Sequence, residues 1–139
     1  MPDPKHPQWQ PISQMPFVSE MICGMFCEAQ KLYKDLLLAR PKPHVLDDAT
    51  VSRVIDVYTT QKNDLWLYEG QLKHWQKSKL TDRQEQDIQW MQAQLLQLRE
   101  QIDHILTLAG ELKERTIERV LAKSDEELAL EILTGKWKP

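Results

Sequence analysis

The sequence predicts an all-α fold, a helical bundle made of a long antiparallel helical hairpin, an N-terminal helix packed beside it and a short C-terminal helix. Three observations lead there. Apolar residues return every three or four positions over three long stretches. Prolines gather at the chain start and at one later break, leaving those stretches uninterrupted. The last two stretches are separated by only a few polar residues, and a short connection makes long helices antiparallel neighbours.

Residues 1–18 hold five of the eight prolines, at 2, 4, 7, 11 and 16, and read as an extended arm. Trp9, Ile12, Met15, Phe17 and Val18 make the arm apolar enough to dock on a surface. A single helical domain is expected over 19–139. Its first helix is placed to begin at Ser19, a good N-cap, with Glu20 in the first turn. Ile22, Met25, Phe26, Ala29, Leu32, Tyr33, Leu36 and Leu37 carry its apolar stripe, and Pro41 and Pro43 stop it.

A second helix starts at Asp47 or Asp48 on the stripe Val51, Val54, Tyr58, Leu65, Tyr68, Leu72 and Trp75, with Gln61 filling one slot. The β-branched run from Val51 to Thr60 competes as a strand. The register sustained through Trp75 decides for helix. Ser78 to Asp82 is the turn, and Thr81 with Gln84 has the capping-box spacing.

The third helix is the clearest element. Ile88, Met91, Leu95, Leu98, Ile102, Ile105, Ala109 and Leu112 alternate steps of three and four without error, as a coiled-coil seam does. Leu96, Leu106, Leu108, Ile117, Val120 and Leu121 widen the stripe, so this helix is expected to touch more than one neighbour. The Ala109–Gly110 pair predicts a close approach by a crossing helix, with a bend in the helix as the alternative. Glutamines crowd the first half of the helix where a parallel dimer would carry paired opposite charges, which favours a partner within the same chain. Ser124 with Glu127 suggests a second capping box before a short helix ending near Leu133, with Gly135 as its cap.

The chain has 139 residues, 41% hydrophobic and 28% charged, enough for one domain with a usable core. Its mean hydropathy of −0.56 suits an elongated helical shape that exposes much surface. Net charge is −3, so no global basic field draws the molecule to nucleic acid or to an anionic membrane. Residues 81–139 carry eight Lys and Arg against twelve Asp and Glu, a net −4, and the rest of the chain carries +1. No apolar run approaches the roughly 18 residues of a membrane span, and no signal-peptide core is visible. A cytoplasmic protein with reduced thiols is expected.

Motifs for chemistry are sparse. Cys23 and Cys27 share one helical face, but a zinc site needs two more ligands, and His6, His44, His74 and His104 are not paired at ligand spacing. The two cysteines read as small buried thiols. Glu100 with Asp103, and Glu111 with Glu114, have the spacing of carboxylate pairs in helical magnesium sites, yet the pairs stand about 16 Å apart along one helix. Asp103 and His104 are sequence neighbours and do not face each other. The serines show no nucleophile motif, and the four glycines form no phosphate loop. A non-enzymatic protein with no cofactor and no metal is expected.

Two surface features remain. Lys73, His74, Lys77, Lys79 and Arg83 cluster at the hairpin tip, and Lys73, Lys77, Lys79 and Arg83 are the candidate nucleic-acid contacts. Five tryptophans are many for this length, and tryptophan is enriched where surfaces become interfaces. Trp75 sits on the core stripe. Trp66 and Trp90 lie off the seams, where burial against the first helix or the arm competes with a partner surface, and Trp9 and Trp137 sit in the tails; these four are the candidate partner contacts. The leading expectation is a helical interaction or adaptor protein that self-associates or docks to a larger assembly. The alternatives are a nucleic-acid accessory protein using the basic tip and a metal-dependent all-α nucleotide hydrolase.

Overall fold

The computed structural model describes residues 8–42 and 46–116. The proposed C-terminal capping box and helix, Gly135, Trp137, Ile117, Val120 and Leu121 lie outside the described residues. A single 3-10 turn, Ile12–Gln14, leads into α1 (Met15–Ala39), followed by α2 (Asp48–Gln76) and α3 (Asp82–Lys113). No strand occurs among the described residues.

α1 starts four residues earlier than Ser19. Pro16 falls within the first turn, where a backbone N–H has no intrahelical acceptor, so the ring removes no hydrogen bond and its fixed φ suits the helix. The earlier start lets Met15 and Val18 join the core. The β-branched segment at the start of α2 is helical, as its register predicts. Asp47 caps it by accepting from the Thr50 backbone N–H at 2.6 Å, and the Thr50 side chain together with that N–H holds the Asp47 carboxyl below its ordinary range. The capping box of α3 is complete: Thr81 Oγ1 accepts from Gln84 N, and Gln84 Oε1 accepts from Thr81 N.

The three helices run up, down and up. Arg40 pairs with Glu111 and Tyr33 tilts against His104, so the C-terminal halves of α1 and α3 lie side by side and the two are parallel. Lys62 pairs with Asp103 and Arg99 with Glu69, so α2 is antiparallel to α3. The far ends are tied by Thr116, whose hydroxyl donates to Asp48 at 2.7 Å. α3 is the shared element. Both α1 and α2 pack on it and scarcely approach each other. All eight residues of its seam are buried. Matching stripes of α1 (Ile22, Ala29, Leu36) and α2 (Val51, Leu65, Leu72, Trp75) cover them. Gln61, the one polar member of the α2 stripe, keeps Oε1 buried with no hydrogen-bond partner among the described residues.

Two details depart from expectation. A Cβ on Gly110 would meet nothing within 4 Å, so no helix crosses closely there, although Ala109 is fully buried. The reason is the angular offset of one residue: Ala109 lies on the seam and Gly110 turns outward. Cys23 and Cys27 are exposed rather than buried, because they lie on the side of α1 away from its core stripe.

Candidate interaction surface

The arm docks on α2 through backbone and ring contacts. Gln71, buried to 6% exposure, places Oε1 2.7 Å from the Gln10 N–H and donates through Nε2 to the Gln10 carbonyl at 3.3 Å. The indole N–H of Trp75 donates to that same carbonyl at 2.9 Å. One residue earlier, Trp9 stacks on the His74 ring, with centroids 5.5 Å apart. Its indole also lies over Gly70, where a Cβ would come within 2.7 Å of the ring. Glycine at 70 therefore admits Trp9, and Gln71 and Trp75 hold the chain that carries it.

From there the arm crosses to the start of α1 and closes one end of a trough between α1 and α2. The trough exists because both helices pack on α3 and leave a gap between their outer flanks. It encloses about 370 Å³ at the arm end, lined by Trp9, Phe17, Met21, Leu67, Tyr68 and Gln71. Phe17 is 60% exposed there although it stands in the first turn of a helix. Val57, also exposed, lies further along α2 on the stripe 57, 61, 64, 68 that includes Tyr68. Burial raises the Tyr68 phenol above its usual range, with Asp64 adding to the shift, so its hydroxyl stays protonated and offers one polar handle on an apolar wall.

The other candidate residues are dispersed. Trp66 is 38% exposed and lies on the α2 stripe 62, 66, 69, 73, beside the ion pairs Lys62–Asp103 and Glu69–Arg99. Leu96, 65% exposed, projects from α3 on the same flank, where it borders a shallow cleft with Glu69, Lys73 and Gln92. Trp90 is 45% exposed on a different α3 stripe, the one that begins at Arg83 and Asp87 and borders α1. Trp9 is engaged within the chain. Trp66 and Trp90 therefore stand on separate faces.

The basic tip is thinner than its sequence. His74 lies under Trp9, and Arg83 pairs with Asp87 one turn on at 3.3 Å. Lys73, Lys77 and Lys79 are exposed. Of the paired carboxylates, Asp103 is taken by Lys62 and Glu111 by Arg40. Among the described residues no three His, Cys, Asp or Glu side chains converge as metal ligands would.

Sequence reasoning missed the trough and the latch. Phe17 and Met21 are spaced i,i+4, the mark of one helical face, but Pro16 hid the helix that carries Phe17. Gly70 inside an otherwise unbroken helix was the available signal for the Trp9 seat. None of the described helices is long and apolar enough to cross a membrane. The chain matches no family model, and neither a curated protein nor a solved structure resembles it significantly.

Proposed function

We propose that this protein is a non-enzymatic interaction module whose α1–α2 trough receives an amphipathic helix of a partner protein. The carrying observation is the exposed apolar pair Phe17 and Met21 of α1 facing the half-buried Leu67 and Tyr68 of α2 across a gap between two antiparallel helices. A gap of that kind is the vacant fourth position of a helical bundle, and an inserted helix buries its own apolar stripe there. A small chain that leaves Phe17, Met21 and Val57 uncovered forgoes hydrophobic stabilisation that a partner supplies on binding.

The arm supports this reading, since Trp9 and Gln10 fix the end wall of the trough and so limit how far an incoming helix extends. A second copy of the chain is the other source of a covering helix. The test is affinity capture with sedimentation on the full chain, comparing wild type with a Phe17→Glu/Met21→Glu variant and a Trp66→Ala/Leu96→Ala control. A partner or dimer lost only in the trough variant supports the proposal. A monomer whose bound proteins are the same in all three forms overturns it.

A further inference from the structure

Cys23 and Cys27 stand one turn apart on α1, both free and both exposed. Both thiols lie on one face of the helix, and the neighbouring Cys23 thiol raises the Cys27 pKa above its ordinary range. Helix geometry decides what such a pair can do. Residues i and i+4 keep their Cβ atoms about 5–6 Å apart. A disulfide needs about 3.5–4.5 Å, so closing one would distort this turn of α1. A bridging metal removes that conflict, because it inserts two metal–sulfur bonds of about 2.3 Å each between the sulfurs.

The ligand count narrows the metal. No third His, Cys, Asp or Glu converges on the pair among the described residues, so zinc lacks its tetrahedral set, and hard cations lack oxygens. Thiolates select soft ions, and copper(I) is the soft first-row ion that accepts two ligands in a line. The helix face also carries the compensating charge: Lys31 lies one turn beyond Cys27 and Lys34 two turns, against Glu20 one turn before Cys23.

We propose that Cys23 and Cys27 form a two-coordinate bis-thiolate site for copper(I). On binding, two S–H bonds break, two S–Cu bonds form and two protons leave to solvent. Copper stays in the +1 state throughout, so no oxidant or reductant is consumed. The site faces away from the α1–α2 trough and is independent of what fills it.

The test uses the full-length reduced chain under anaerobic conditions. Copper(I) is supplied as its acetonitrile complex in competition with a chromophoric copper(I) chelator. Wild type is expected to take one copper per chain, with a thiolate-to-copper ultraviolet band and unchanged helix content. Cys23→Ser or Cys27→Ser alone should each weaken binding by roughly tenfold or more, because the second sulfur no longer binds within the same molecule. The double variant should leave all copper on the chelator. Both residues are exposed, so circular dichroism serves to verify that the variants fold. Copper uptake equal in wild type and double variant overturns the proposal, as does half a copper per chain with dimer formation.

Discussion

Gly70 and Gln71 show how two adjacent residues fix a segment sixty positions away. Gly70 has no Cβ, and that absence is the space the Trp9 indole occupies. Gln71 meets both backbone groups of Gln10, satisfying a donor and an acceptor that the incoming chain would otherwise desolvate unpaired. In Gly70→Ala, the new methyl would sit 2.7 Å from the far edge of the Trp9 ring, so the indole must shift, while Gln71 and Trp75 still hold Gln10. The helix itself gains from alanine, by about 1 kcal/mol. Net stability is therefore expected to change little while the arm loosens at Trp9. Increased protease cleavage before Met15 and a red-shifted indole emission would report the loss. An arm equally protected in wild type and variant would show that Trp9 is not held by this contact.

At the scale of single elements, α1 and α3 each contain a glycine that nothing requires. Gly24 and Gly110 are exposed, and a Cβ on either would meet nothing within 4 Å. Glycine inside a helix costs about 0.5–1 kcal/mol against alanine, because the unfolded chain loses more freedom on folding. Gly24→Ala and Gly110→Ala should each raise stability by that amount in chemical denaturation. Lying far apart on different helices, they should add. The elements were also where the sequence was most legible. Thr81 and Gln84 announced the start of α3, Asp47 that of α2, and the seam from Ile88 to Leu112 its buried face. Legibility failed where one residue serves two logics. Pro16 reads as a helix breaker by type and is a helix starter by position. Cys23 and Cys27 read as buried by type, yet their angle about the α1 axis turns them to solvent. The trough was illegible for a related reason: it depends on where two helices fail to meet, and periodicity reports only faces that do.

For the molecule as a whole, the arrangement of α3 between α1 and α2 determines how it unfolds. Neither outer helix has much of a partner without it, since α1 and α2 scarcely touch. The two cross-helix ion pairs of α2 are partly solvated and contribute little by themselves. Burial along the α3 seam carries the cohesion, and Ile102 is fully buried in it. Ile102→Ala removes buried methylenes from the core that all three helices build, at a cost of about 2–5 kcal/mol. Because both outer helices depend on the same seam, that loss should lower the midpoint of one cooperative transition, with far-ultraviolet ellipticity and tryptophan emission moving together. Trp75 on α2 and Trp90 on α3 report from two of the helices. If ellipticity fell in two steps, with one outer helix melting before the other, α3 would not be the common support that its buried seam implies.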